Sequence, residues 1–151
     1  MNQEAVDLLS TIEPFASLSG DVLEAVASQL ALMTFPGGTV LAEQGRNTME
    51  RIYIVRTGRL DLYFESRGEK TLRSVLEAGD IFGGISILMN AGLSIRSLTA
   101  AADSALYVLP KAVFLDLCRR FSHFQSYFVA AFNRRMQDES YGAAIAASQV
   151  V

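Results

Sequence analysis

Apolar positions keep helical spacing at both ends of the chain and alternate in the middle, so a strand-rich centre between helical flanks is expected. Residues 1–33 read as helical. Ser19 is a candidate N-cap, Asp21 suits the positive end of a helix dipole, and Val22, Leu23, Val26 and Leu30 follow at helical spacing. From 34 to 109 the pattern shortens. Pro36-Gly37-Gly38 forms a turn before a strand at Thr39–Ala42, and a second strand covers Ile52–Arg56. Leu60, Leu62 and Phe64 then alternate with Asp61, Tyr63 and Glu65, the signature of a half-buried strand. Further strands are expected at Thr71–Leu76, Ile81–Phe82, Ser94–Ala101 and Ala105–Leu109, with a helical turn at Ile85–Met89. Many short strands in series, divided by glycines and without intervening long helices, predict an antiparallel sandwich or barrel. Its interior should close on Ile52, Ile54, Leu60, Leu62, Leu72 and Leu76. Pro110 fits the first position of a helix carrying Phe114, Leu117, Cys118 and Phe121 on one face. Ser122 and Gln125 form a capping-box pattern for a last helix, whose stripe is Phe124, Tyr127, Phe128, Ala131 and Phe132.

The 151 residues suffice for one core, so residues 1–137 read as one domain and 138–151 as a C-terminal tail or linker. A net charge of -3 offers no basic face, which argues against direct nucleic-acid binding. Cys118 is the only cysteine, so no internal disulfide can form and a reducing, cytoplasmic setting is expected. The N-terminus lacks the charge and apolar run of a secretory signal, and no apolar stretch reaches the ~20 residues of a membrane span.

Enzymatic chemistry finds little to work with. His123 is the only histidine and falls in the first turn of a predicted helix, while Cys118 lies on an apolar stripe. No Ser-His-Asp or Cys-His set is evident, and the chain is read as non-enzymatic. The informative stretch is 79–101. Gly83-Gly84 allows close backbone approach and opens a helical turn whose exposed amides favour an anion. Arg96 follows, with a planar guanidinium suited to phosphate.

The order of these segments resembles the cyclic-nucleotide-binding domain family. The likeness runs from about Phe15 to Met136. It rests on Pro14–Ser19, Pro36–Leu41, Glu43-Gln44-Gly45, Ile52–Gly58, Gly79–Gly83 and Arg96–Ala100. It implies a mainly β fold with flanking α: an antiparallel β-roll, jelly-roll-like, with an N-terminal helix and a C-terminal helix pair. It also implies a regulatory ligand-sensing domain that binds cAMP, cGMP or another nucleotide or anion. The ligand-phosphate site then falls on Gly83, Gly84, Ile85, Ser86, Arg96, Ser97 and Leu98. The chain departs from the family pattern in four places. Gly84 stands where the family carries the glutamate that accepts from the ribose 2′-hydroxyl, and Ile95 stands at a common proline. Leu98 replaces a small residue, and the loop around Asn90–Ser94 is longer than usual. Ordinary cAMP binding is therefore expected to be weak. The alternative is a degenerate protein-interaction or dimerisation module. The resemblance further implies a homodimer through the C-terminal helix. A softer likeness, at Ile52–Gly58 and Ala105–Pro110, points to a bacterial subgroup in which such a domain precedes CBS and nucleotidyltransferase domains in a longer chain.

Overall fold

Two four-stranded antiparallel sheets face each other, because the alternating segments each have one apolar side to bury. The computed structural model describes residues 3–136. Its elements run α1 (Gln3–Leu9), a 3-10 turn (Phe15–Ser17), α2 (Gly20–Ser28), β1 (Ala31–Phe35), β2 (Val40–Ala42), β3 (Arg51–Thr57) and β4 (Leu60–Ser66). After these come β5 (Glu69–Leu76), β6 (Ile81–Phe82), α3 (Gly84–Met89), β7 (Ser97–Ala100), β8 (Ser104–Pro110), α4 (Lys111–Arg120) and α5 (Ser122–Met136). Strand order is β1-β8-β3-β6 in one sheet and β2-β7-β4-β5 in the other. This is the antiparallel roll with flanking helices that the sequence implied, and its helices sit at the ends.

Three local expectations need correction. The helical reading of 1–33 fails at its end: α2 stops at Ser28, and Ala31–Phe35 forms β1, paired with β8 from Ala31↔Val108 to Phe35↔Ser104. The apolar run over Leu30–Met33 fits either period, and the available partner strand decides it. Leu72 is 47% exposed rather than interior. Leu62 pairs with Ser74 but the next residue, Tyr63, pairs with Leu72, so a bulge at Arg73 reverses the facing of β5 beyond it. Leu72 thereby joins Tyr63 on the outer surface. The last helix has Phe121, not Ser122, at its cap position, because the Gln125 N–H donates to the Phe121 carbonyl at 3.2 Å. By contrast the Ser19 cap is present, its Oγ accepting from the Val22 N–H at 3.4 Å.

The core joins the two ends of the chain. Phe15, Phe114 and Phe124 are fully buried, with Phe124 edge-on to Phe15 at 5.1 Å and 5.9 Å from Phe114. Phe128 continues the cluster at 5.0 Å from Phe114. Each such ring contributes roughly 1.5–3 kcal/mol through burial. The apolar stripe of α5 is therefore largely spent on its own protomer, and α5 lies along α3. Tyr127 alone of the expected stripe stays 40% exposed. No helix among the described residues is long and apolar enough to cross a membrane. The expected tail from 138 to 151 lies outside the described residues.

Candidate functional site

The site is assembled around the start of α3. Gly83 caps this helix with φ 111° and ψ −25°, a left-handed conformation natural only to glycine. A Cβ there would also stand 3.0 Å from the Arg51 carbonyl oxygen of β3. The first intrahelical bond runs from the Ile87 N–H to the Gly83 carbonyl, so the amides of Gly84, Ile85 and Ser86 precede the helical ladder. Gly84 is needed for close approach rather than for its dihedrals. A Cβ at this position would lie 2.8 Å from Cε1 of Phe128 and 3.2 Å from Cζ of Phe114. No side chain of any kind fits at position 84 while Phe128 holds its place.

The chain returns to the sheet through a loop pinned on both sides. Asn90 Nδ2 donates to the Leu93 carbonyl at 2.7 Å, and the Gly92 N–H donates to the Ser86 carbonyl at 2.8 Å. Facing backbone groups of residues 45–49 close the other side, with Met49 N–H on the Gly92 carbonyl and Ser94 N–H on the Asn47 carbonyl. This fixes Arg96, which is only 6% exposed. Its guanidinium carbon lies 4.8 Å from the ring centre of Phe64, one of the inward residues of β4, a cation–π contact. Asp80, a carboxylate that lines the same cavity, accepts from the Glu77 N–H at 2.8 Å.

A cavity of about 700 Å³ opens at this point. Of the residues expected to hold a phosphate, Gly83, Gly84, Ile85, Ser86 and Arg96 all line it. Ser97 and Leu98 lie apart from its walls. The Ser97 hydroxyl accepts from the Gln44 N–H at 3.0 Å and donates to the Glu65 carboxylate in a short bond. Gln44 and Glu65 tie β4 to the turn after β2 by two further bonds, Gln44 Nε2 to the Glu65 carbonyl at 2.9 Å and Glu65 N–H to Gln44 Oε1 at 2.8 Å. Leu98 is fully buried between Leu62 and Ala42 on the neighbouring strands. The remaining reactive side chains are elsewhere. His123 is exposed beside Phe121, and burial pushes the Cys118 thiol up to about 11, so it is protonated at neutral pH.

Residues 32–121, more than half of the chain, match the family described as Cyclic nucleotide-binding domain. The chain belongs to this family. A curated relative, the cGMP-dependent protein kinase of Eimeria tenella, is 28% identical over 116 residues. That match covers 77% of this chain but only 11% of the kinase. The cyclic nucleotide-binding fold also recurs in solved structures. The sensor domain of the transcriptional regulator DNR from Pseudomonas aeruginosa superposes with a TM-score of 0.78 at 16% identity, over 91% of this chain and 92% of that one. The regulatory domain of Toxoplasma gondii PKA, solved with cAMP, gives a TM-score of 0.72 at 21% identity, over 90% of this chain and 49% of that one.

Sequence reasoning missed the contribution of α5 to the site. Phe128, Ala131 and Arg134 line the cavity from the side opposite the sheet. Their spacing of three puts them on one helical face, but nothing local says which element that face meets. Phe64 was legible as an inward residue of an alternating strand, though not as the shelf under Arg96.

Proposed function

We propose that this chain is a regulatory ligand-sensing domain that holds a phosphate-bearing ligand of nucleotide type in the cavity beside α3. The observation that carries this reading is the convergence on one cavity of a buried Arg96, in cation–π contact with Phe64, and the helix-start amides of Gly84, Ile85 and Ser86. Both devices attract an anion, and they approach it from different elements. The open cavity supports this reading over that of a degenerate interaction module. cAMP and cGMP are candidate ligands by family, since the Toxoplasma regulatory domain was solved with cAMP and the Eimeria relative is a cGMP-dependent kinase. The loss of any side chain at position 84 favours weak affinity for ordinary cAMP. Within this reading Ser97 and Leu98 contribute through the backbone or through support of the site, since their side chains are engaged elsewhere.

The domain senses rather than catalyses, works in the cytoplasm, and passes its signal to other parts of a longer chain. CBS and nucleotidyltransferase domains are the candidates, on the sequence likeness given above. A homodimer along α5 belongs to the same reading, with exposed Tyr127 as its first contact. The decisive test is Arg96→Ala, monitored by thermal shift with cAMP, cGMP, AMP and inorganic phosphate. The unmodified chain gains about 2.7 kcal/mol from a ligand at 100 times its dissociation constant. Arg96→Ala abolishes that gain. Stabilisation that survives the substitution intact, or absence of any effect with all four probes, would overturn the assignment.

A further inference from the structure

The cavity has a second cationic contributor outside the sheet and α3. Arg134 lines it from α5, six residues beyond Phe128, which is the residue that packs on Gly84. Between them Phe132 packs, as Ile85 of α3 does, against Ile95, the residue next to Arg96. Helix α5 thus runs past the start of α3 and past the approach to Arg96, and a helix covers about 9 Å over those six residues. The last described residue on its cavity-lining face is Arg134. Arg134 is exposed, and among the described residues it makes no hydrogen bond or ion pair. Among the described residues two carboxylates line the same cavity: Glu13 accepts from the Ser17 hydroxyl, and Asp80 accepts from the Glu77 N–H. Two arginines therefore flank one opening, one deep and over Phe64, the other at the mouth.

Resting on the reading above, we infer that Arg134 is a second phosphate contact and that the site prefers a terminal phosphomonoester to a cyclic phosphodiester. The argument is one of charge and oxygen count. A cyclic diester carries one negative charge and two free oxygens, which the fork of Arg96 and the α3 amides already satisfy. A phosphomonoester carries a charge near −2 at neutral pH and three free oxygens. The third oxygen and the second charge are what a guanidinium at the mouth recognises. A non-cyclic mononucleotide such as 5′-AMP, or a sugar phosphate, meets this requirement.

The experiment compares 5′-AMP with 3′,5′-cAMP by titration calorimetry on the unmodified chain and on Arg134→Gln. The substitution is on an exposed helical position and leaves the fold intact. AMP is expected to bind the unmodified chain at least tenfold more tightly than cAMP. Arg134→Gln is expected to cost AMP about tenfold to a hundredfold, the worth of one charge-assisted bond, and to change cAMP less than twofold. Arg134→Lys keeps the charge but not the fork, and is expected to recover part of the AMP affinity. If AMP and cAMP bind equally, or Arg134→Gln leaves AMP unchanged while Arg96→Ala abolishes binding, this inference fails and the ligand-sensing reading stands. If neither probe binds at millimolar concentration, both fail together.

Discussion

Phe128 occupies the volume into which any side chain at position 84 would have to project. One consequence is a strict glycine requirement without a special dihedral. Gly84→Ala brings a methyl to 2.8 Å from the Phe128 ring and forces that ring, Phe114 or α3 to move. Overpacking of this kind costs roughly 1–3 kcal/mol. The expected outcome is a clear fall in melting temperature and a local change at α3, visible as shifts of the Ile85 and Ser86 amides in a nitrogen–proton correlation spectrum. An unchanged melting temperature would mean that Phe128 does not rest on Gly84. The sequence marked Gly83-Gly84 as a place of close backbone approach, yet the residue approached lies 44 positions away. Local pattern carries no information on that distance. The same limit explains Leu72, whose facing depends on one extra residue in β5.

At the scale of elements, α1 illustrates how a short terminal helix is held. Its inner face contributes Ala5 and Leu9 to the core, and Glu4 bonds both Arg56 of β3 and the Tyr107 hydroxyl of β8. The bond from Arg56, and after it that from Tyr107, holds the Glu4 carboxyl below its ordinary value of 4.5. Burial, and after it the bond to Glu4, raises Tyr107 above its ordinary 10. A lowered carboxyl stabilises the charged form, so this anchor is fully present above the ordinary carboxylate value and weakens as pH falls through the lowered one. A raised phenol favours the neutral form, so that bond is present below pH 10 and is lost as pH rises through the raised value. Amide exchange along Val6–Leu9 should therefore accelerate, relative to its intrinsic rate, at both extremes. Glu4→Gln should remove the acid limb. An acid limb that persists in Glu4→Gln would assign the anchoring to other groups. Local pattern offered no hint of this tie, because it joins Glu4 to residues 52 and 103 positions away. It did expose the Ser19 cap, the alternation of β4 and the stripe of α4, where each signal is carried by neighbours within one turn or one strand.

For the whole molecule, the antiparallel roll was legible because short alternating strands divided by glycines leave few other ways to bury one face each. Assembly was less so. The stripe of α5 is an amphipathic face in sequence, but Phe124, Phe128 and Ala131 are buried within the protomer. A second copy along α5 finds Tyr127 and the polar flanks around it, so the dimer of the proposed function should be weak and sensitive to that residue. Sedimentation equilibrium is expected to give a dissociation constant in the micromolar range, raised about tenfold or more by Tyr127→Ala. A monomer at high micromolar concentration would remove the dimer from the proposal.

The pairing of Phe15 with Phe124, and of β1 with β8, has a consequence for how the chain reaches its native state. The N-terminal third cannot complete its packing until partners some 70 to 110 residues later have been synthesised. Contacts of such long sequence separation put folding in the slow, millisecond-to-second regime of β-rich proteins. During synthesis, Phe15 and the β1 edge wait uncovered while the middle strands emerge. A ribosome-stalled chain cut before Phe124 should remain open to protease, and one carried through Met136 and clear of the exit tunnel should close.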